Sequence, residues 1–167
     1  LPQIYDQPGE TIEQAYVRET RGTRGGVGIV DVSTLGKIAV QGPDAAEFLD
    51  RVYTNVFSTL AIGKARYGLM LREDGLAFDD GTTWRLGQDD FLMTTTTANA
   101  GKVMQHLEYF LDIVWPDLKV HVTSVTDEWA GAAIGGLKAR DVLAACVTGT
   151  GVDNEAVASI SQWLGEQ

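Results

Sequence analysis

Three short runs of apolar and β-branched residues between positions 65 and 97 constrain the fold more than any other part of the sequence. Two polar separators interrupt them, Glu-Asp-Gly at 73–75 and Gly-Gln-Asp-Asp at 87–90. Gly, Asp and Asn are the residue types that tight turns between antiparallel strands use. The pattern therefore predicts a three-stranded antiparallel meander, with strands at 67–71, 76–86 and 91–97.

The middle strand of this meander carries two adjacent acids, Asp79 and Asp80. Because side chains alternate between the faces of a strand, Asp80 is expected on the crowded face of Phe78 and Trp84, and Asp79 on the opposite face. A carboxylate that is half-buried among bulky side chains is costly unless it is hydrogen-bonded or meets a cation, so it is a candidate functional group. The alternative interpretation is a solvated acid pair beside a turn.

The charge balance excludes two classes of partner. The 167-residue chain has 23 acidic residues against 13 Lys and Arg, a net charge of -10, and the basic residues are not clustered. Such a surface disfavours phosphate backbones and anionic lipids, so we expect neither nucleic-acid nor membrane binding. Neither a secretory signal nor an apolar run of about 18 residues is present, which predicts a cytoplasmic location.

The single cysteine and the two histidines do not indicate a metal site. Cys146 lies in an apolar helical pattern that predicts a buried structural thiol, with Ala139, Val142 and Leu143 also facing inward. His106 lies near the edge of a helical apolar stripe, without a second ligand at metal spacing, and is expected to be a packed helix residue. His121 falls on the polar face of a predicted strand and is expected to be solvated.

The remaining segments predict an alternation of helices and strands. Thr11 and Gln14 form a capping-box pattern that predicts a short helix ending before Gly22. The glycine-rich run at 21–28 neither follows a strand nor opens a helix, which argues against a phosphate-binding loop. Further helices are predicted at 43–52, 99–114, 137–147 and 152–164, and further strands at 29–32, 37–41, 119–126 and 128–134.

This order of elements predicts an α+β fold. Strands joined mostly by tight turns pair antiparallel, and the single apolar stripe of the helices at 43–52 and 99–114 predicts that both pack on one face of the sheet, in a ferredoxin-like or related arrangement. We expect an arm with a short helix at 1–22, a main domain at 23–148 and a helical tail at 149–167.

The ends of the predicted elements carry several large apolar side chains. In a chain of this length we expect some of them to be exposed and to promote self-association; they are Phe57, Leu60, Trp115, Trp129 and Trp163. The chain also opens on Leu1 without a methionine, and we therefore expect a segment of a longer protein.

Three segments carry a resemblance to a known family. They read GIVDVSTLGKIAVQGPDAAEFLDRVYTN at 28–55, GKARYGLMLREDGLAFDDGTTWRLG at 63–87 and GGLKARDVL at 135–143. They resemble the folate-binding aminomethyltransferase family, which includes the glycine-cleavage T-protein, and within it the C-terminal half of the α subunits of heterotetrameric sarcosine oxidases. The resemblance implies the fold of the N-terminal portion of the T-protein, as a truncated fragment.

The same resemblance implies a function. The cofactor would be tetrahydrofolate, and the parent enzyme would pass the one-carbon unit of oxidised sarcosine to it, forming 5,10-methylenetetrahydrofolate and glycine. Flavin and NAD would lie in the parent outside this fragment, and the partners would be other subunits of a hetero-oligomeric oxidase. The isolated fragment would be inactive.

The resemblance also implies site residues. Asp80 would face the reduced pterin and the one-carbon unit, with Asp79 as the flanking acid, because a fixed carboxylate can stabilise positive charge on nitrogen or accept a proton. The residues lining the pterin ring would be Tyr67 and Met70 on one side and Thr94, Thr95 and Thr96 on the other.

Some family features are replaced or missing. Thr96 stands where many T-proteins have an asparagine, and Thr34 where they have a histidine. A later Arg-x-Ser/Tyr-x-Ser/Thr-Gly-Glu motif that contributes folate contacts does not occur in these residues. A second hypothesis therefore stays open, a T-protein-like scaffold or subunit-contact module without folate chemistry.

Overall fold

A computed structural model of the protein describes residues 5–146, and the predicted helix at 152–164 lies outside these residues. The helices are α1 (Ile12–Gly25), α2 (Ala45–Val52), α3 (Ala100–Tyr109) and α4 (Ala139–Cys146). The strands are β1 (Gly28–Asp31), β2 (Gly36–Gln41), β3 (Ala65–Leu71), β4 (Ala77–Gly87), β5 (Asp90–Thr95), β6 (His121–Ser124) and β7 (Ala132–Gly135). Each strand pair in the described range is antiparallel, so the predicted α+β architecture is confirmed.

The chain divides into two compact units. Of the residues that the structure describes, 5–31 and 132–146 belong to the first unit and 32–131 form the second. These boundaries differ from the predicted ones at 22/23 and 148/149. The difference arises because β1 pairs with β7, far along the chain, and turn signals do not reveal a pairing between distant strands.

In the first unit, α1 begins as predicted and ends later than predicted. The Thr11 hydroxyl accepts a hydrogen bond from the Gln14 backbone N–H at 3.3 Å, and the Gln14 side chain accepts one from the Thr11 N–H at 2.8 Å. The helix continues past Gly22 to Gly25. Its end is held by a tertiary contact, because the Lys138 N–H donates to the Gly26 carbonyl at 2.9 Å.

The predicted burial of the α4 stripe is wrong. Cys146 is exposed, Val142 is 38% exposed, and Leu143 is only half-buried. The helical period identifies which residues share a face. Whether another element covers that face is decided by the tertiary structure.

The second unit is built on a five-stranded sheet in the order β3-β4-β5-β2-β6. The predicted meander supplies its first three strands. The tight turn between β3 and β4 contains Gly75 at φ 81°, a left-handed conformation that favours glycine. The central position of β5 follows from its pairing with β4 on one side and with β2 on the other.

Both helices of the second unit cover the same face of this sheet, as predicted. Their buried side chains include Phe48 and Leu49 from α2 and Val103 and Leu107 from α3. They form one apolar cluster with alternate residues of the strands, Ile38, Val40, Met70, Phe91 and Met93. We call this face of the sheet the helix face, and the opposite face the open face.

The segment between α2 and β3 adds to the cluster. Phe57 is fully buried and Leu60 is 4% exposed, so these two are not among the predicted apolar side chains that remain exposed. The Phe57 ring lies 5.0 Å from the Tyr53 ring, and a Cβ at Gly68 would come within 2.9 Å of Phe57. The chain therefore folds back over the helix face at this point. Trp129, in contrast, is 50% exposed.

One irregularity in β4 changes the alternation of its side chains. Met70 pairs with Asp79, but Leu71 pairs with Ala77, so Phe78 is the extra residue of a β-bulge. Phe78 and Asp79 consequently both turn toward the helix face. The Phe78 ring lies 4.7 Å from the His106 ring, which lies 4.4 Å from the Phe110 ring.

His106 is therefore a packed helix residue, as predicted. Burial lowers its pKa below the ordinary value, and the carboxylate of Glu73 opposes this effect. Burial therefore favours the neutral imidazole.

A pair of glycine substitutions tests the packing between β2 and α3. A Cβ at Gly36 would lie 2.1 Å from the Thr95 Oγ1 and 2.6 Å from the Ala100 Cβ, whereas a Cβ at Gly101 meets nothing within 4 Å. We expect Gly36→Ala to lower the free energy of unfolding by about 1–3 kcal/mol. Gly101→Ala should raise it by up to about 1 kcal/mol. Urea denaturation measures both, and equal effects would contradict the packing.

Acid should destabilise the second unit through His106. Because its folded-state pKa is depressed, the unfolded chain takes up the proton more readily, so stability is complete above about pH 6.5 and is lost as the pH falls below that value. His106→Leu should reduce the difference between the urea midpoints measured at about pH 7 and about pH 5. The exposed His121 supplies the control, since His121→Gln should keep the wild-type difference. The same acid loss in His106→Leu as in the wild type would contradict this prediction.

Candidate functional site

The open face of β3 and β4 brings together an acid, a phenol and an indole. In the register of β3 and β4, Leu69 pairs with Asp80 and Tyr67 pairs with Thr82. The side chains of Tyr67, Asp80 and Thr82 are therefore neighbours on the open face. Tyr67 is 60% exposed and Trp84 is 36% exposed. We call the set Tyr67, Asp80, Thr82 and Trp84 the open-face site.

A short hydrogen bond joins the two ionisable groups of this site. The Tyr67 hydroxyl donates to Asp80 Oδ2 at 2.5 Å. This bond raises the pKa of Tyr67 above its ordinary value, because the phenol would have to ionise while bonded to a carboxylate. No donor from the described residues meets the other oxygen of Asp80, Oδ1. The site therefore offers a carboxylate acceptor beside exposed aromatic surface.

Asp79 occupies a different environment on the helix face. It is 6% exposed, and its carboxylate accepts hydrogen bonds from the Thr96 N–H at 3.1 Å, the Thr96 hydroxyl at 2.6 Å and the Asn99 side-chain amide at 3.3 Å. The prediction that Asp80 lies on the more crowded face is wrong. Asp80 shares a face with Trp84 as predicted, but α2 and α3 cover the other face, so Asp79 is the buried acid.

The predicted pterin-lining residues do not all reach the open face. Tyr67 lies on it, and so does Thr94, whose hydroxyl accepts from the Thr82 N–H at 2.9 Å and donates to the Thr82 carbonyl at 3.1 Å. Met70 and Thr95 are each 1% exposed on the helix face. The alternation of strand side chains places Met70, three residues after Tyr67, on the opposite face, and the same rule separates Thr95 from Thr94.

Sequence reasoning missed two residues that support β3 from its outer edge. The Leu69 N–H donates to the Asn55 side-chain oxygen at 3.1 Å, and the Leu69 carbonyl accepts from the Thr54 N–H at 2.9 Å. The Thr54 hydroxyl donates to the same carbonyl at 3.1 Å. Leu69 is the cross-strand partner of Asp80. The sequence signals for this support are the Thr-Asn pair shortly after the helix predicted at 43–52 and its position at the end of the family-like segment 28–55.

A buried phenol lies near both carboxylates. Burial raises the pKa of Tyr53 far above its ordinary value, and the charges of Asp79 and Asp80 act in the same direction. Tyr53 is therefore a neutral hydroxyl at physiological pH and not a candidate base.

A groove of 820 Å³ lies on the helix side, between the β3–β4 turn and α3. Its lining includes Phe78, Asn99, Lys102, His106 and Phe110.

Within residues 5–146, no group of side chains is placed to hold a metal ion. In the same range, no helix is both long and apolar enough to cross a membrane.

Comparisons with known proteins relate this chain to sarcosine oxidase alpha subunits and aminomethyltransferases. The chain is 48% identical over 155 residues to the sarcosine oxidase subunit alpha of Corynebacterium sp. (strain U-96), which covers 93% of this chain and 16% of that protein. It is 54% identical over 140 residues to the Rhizobium meliloti (strain 1021) subunit, covering 83% of this chain and 14% of that protein. It is 38% identical over 125 residues to the aminomethyltransferase of Bacillus mycoides (strain KBAB4), covering 75% of this chain and 33% of that protein.

A solved structure agrees with these sequence relationships. The glycine cleavage system aminomethyltransferase T from Bartonella henselae superposes with a TM-score of 0.69 at 31% identity, over 76% of this chain and 34% of that chain. In length, the chain spans only 16% of the Corynebacterium sp. (strain U-96) sarcosine oxidase subunit alpha. The sequence profile described as the GCVT N-terminal domain matches residues 1–163. This chain therefore belongs to the GCVT N-terminal domain family.

Proposed function

We propose that the open-face site binds a reduced folate, and that the chain acts within a longer enzyme to pass the one-carbon unit of oxidised sarcosine to tetrahydrofolate. The products would be 5,10-methylenetetrahydrofolate and glycine. The observation that carries the proposal is the hydrogen-bonded pair of Tyr67 and Asp80 on an exposed sheet face beside Trp84. Similarity to sarcosine oxidase alpha subunits and to aminomethyltransferases supports the substrate class.

The polar and aromatic groups of the site fit a reduced pterin. The pyrimidine ring of a reduced pterin is flat and carries N–H donors, and Asp80 Oδ1 is an acceptor that no described residue occupies. Trp84 and Tyr67 offer aromatic surface to the ring. Thr82 and Thr94 bring hydroxyls to the same face, although the Thr94 hydroxyl is already bonded to the Thr82 backbone.

The chemistry assigns Asp80 a charge-stabilising or proton-accepting role. When bound, tetrahydrofolate would supply the amine that captures the one-carbon unit from the methylene iminium of sarcosine, with glycine as the leaving group. Positive charge then develops on nitrogen and a proton must leave, so a fixed carboxylate stabilises the charge or takes the proton. Tyr67 holds that carboxylate in one orientation through its hydroxyl.

The remaining parts of the reaction belong to the longer enzyme. We propose that flavin and NAD are held outside this chain, that other subunits of a hetero-oligomeric oxidase are its partners, and that the whole works in the cytoplasm. The word "subunit" in the relatives' names supports the assembly. On this proposal the isolated chain binds folate without oxidising an amine.

A second candidate is a scaffold or subunit-contact module without folate chemistry. It is favoured by the state of the threonine run, because Thr95 is buried and the hydroxyls of Thr94 and Thr96 are already bonded within the protein. Folate binding by the isolated chain distinguishes the two candidates.

Titration with a stable formyl derivative of tetrahydrofolate should show saturable binding to the chain, measured by tryptophan fluorescence or calorimetry. Asp80→Asn and Tyr67→Phe should each weaken binding by roughly 10-fold or more, as expected for a lost hydrogen bond to a charged group. Asp112→Asn is the matched control, because Asp112 is exposed on the helix side and its substitution changes the net charge equally. Absence of binding at millimolar ligand, or equal weakening by the control, would contradict folate binding at this face.

In the full-length enzyme, Asp80→Asn should leave amine oxidation intact and impair capture of the one-carbon unit. Loss of a positioned acid–base or charge-stabilising group costs about 100-fold to 10,000-fold. Free formaldehyde should therefore replace methylenetetrahydrofolate among the products. An unchanged ratio of the two products would remove Asp80 from the mechanism.

A further inference from the structure

We propose that Asp79 is a positioning residue, which acts from the helix face to hold β4 in the register where Asp80 meets Tyr67. The expected effect of Asp79 on folate binding rests on the proposed function, whereas its effect on the register of β4 does not. The two acids then have different roles on the two faces of β4: Asp80 faces the ligand and Asp79 holds the strand in place.

The first observation is a fork between β4 and β5. Backbone pairing of the two strands extends only from the β5 hairpin turn to the Thr83–Met93 pair. Beyond it, the Thr94 hydroxyl bonds to both the N–H and the carbonyl of Thr82. Gly81 permits this approach, because a Cβ there would lie 2.0 Å from the Thr94 carbonyl oxygen. Asp80 therefore lies where the sheet's own hydrogen bonds no longer restrain β4 on this side.

The second observation is that Asp79 spans the fork. Its three hydrogen bonds all come from the segment that follows β5, two from Thr96 and one from Asn99. The Asn99 amide also donates to the Phe78 carbonyl at 3.2 Å. The bulge residue and the acid after it are thus both tied to one short segment.

The third observation is that both oxygens of Asp79 are in use. Oδ2 accepts from the Thr96 N–H, and Oδ1 accepts from the Thr96 hydroxyl and the Asn99 amide. The carboxylate is buried and faces away from the open face, so it cannot accept a proton from a ligand bound there. An asparagine at this position would set its NH₂ group against the Thr96 N–H or the Asn99 NH₂ in either orientation.

These contacts connect to the opposite edge of the site. Asn55 and Thr54 hold Leu69 of β3, and Leu69 pairs with Asp80. Asp80 is therefore fixed from the β3 side by the Leu69 contacts and from the β5 side by Asp79, one residue away along the chain. Releasing Asp79 frees β4 at the bulge and allows Asp80 to turn away from Tyr67.

The Tyr67 phenol supplies a readout that needs no folate. Isotope-labelled tyrosine Cζ resonances, with Tyr67 assigned by Tyr67→Phe, report its titration in the 167-residue chain. Asp80→Asn defines the signal for a lost bond, a pKa that falls toward the ordinary value of 10. We expect Asp79→Asn to lower the pKa of Tyr67 in the same direction at a temperature where the variant is still folded.

Three further variants separate positioning from general destabilisation. Asp44→Asn is the matched control. Asp44 lies beyond the C-terminal end of β2, and its carboxylate accepts a hydrogen bond from the Lys119 N–H at 2.8 Å. This variant should lower the free energy of unfolding and leave the Tyr67 titration unchanged. Thr96→Val removes one donor and should shift the titration, while Thr96→Ser restores the hydroxyl and should keep wild-type behaviour. Thr96→Val and Thr96→Ser also carry the test if Asp79→Asn does not fold.

The outcomes are distinguishable. A wild-type Tyr67 titration in folded Asp79→Asn, or in Thr96→Val if Asp79→Asn does not fold, would overturn the proposal. If the wild-type chain fails to bind the formyl derivative of tetrahydrofolate, the proposed function falls and the positioning role is still decided by the Tyr67 signal. If it binds, Asp79→Asn should weaken binding by roughly 10-fold, with Thr96→Ser close to wild type.

Discussion

The unequal covering of the five-stranded sheet is the constraint on which the rest of the second unit depends. Helices α2 and α3 bury one face, so the side chains of the strands lie either on the covered helix face or on the open face. A charged group can remain on the helix face only if its hydrogen bonds are satisfied there. Asp79 meets this requirement through Thr96 and Asn99, and the neighbouring Asp80 is left to face solvent with Tyr67.

The threonine run shows how one residue type serves different purposes within a few positions. Thr94 closes the fork between β4 and β5, Thr95 is buried in the helix face, and Thr96 holds the carboxylate of Asp79. Their hydroxyls are thus occupied by the protein's own polar groups. In the proposed function, the residues that meet the ligand on the open face are instead Asp80, Tyr67 and Trp84.

This member of the GCVT N-terminal domain family carries the residues of the open-face site within one compact unit. The sheet with its two covering helices forms a compact unit from residues 32–131, and the open-face site lies wholly within it. The chain is a small part of its sarcosine oxidase relatives. In the proposed function, oxidation of the amine therefore takes place outside this chain, separately from capture of the one-carbon unit.

The sequence by itself determined the elements whose signals are local. The turns at 73–75 and 87–90 predicted the meander, Thr11 and Gln14 predicted the start of α1, and the apolar stripes of α2 and α3 predicted a shared face. The acid pair was also recognised as the candidate site. These features depend on residues close together in the chain, where backbone and side-chain preferences act directly.

Only the tertiary structure decided which acid is buried and which strands meet. Strict alternation predicts that Phe78 and Asp79 face opposite sides, but the bulge turns both toward the helices, and a bulge leaves the hydrophobic pattern of β4 almost unchanged. The pairing of β1 with β7 and the exposure of Cys146 likewise depend on distant segments. Burial is a property of what covers a face, and a periodic pattern specifies the face without specifying its cover.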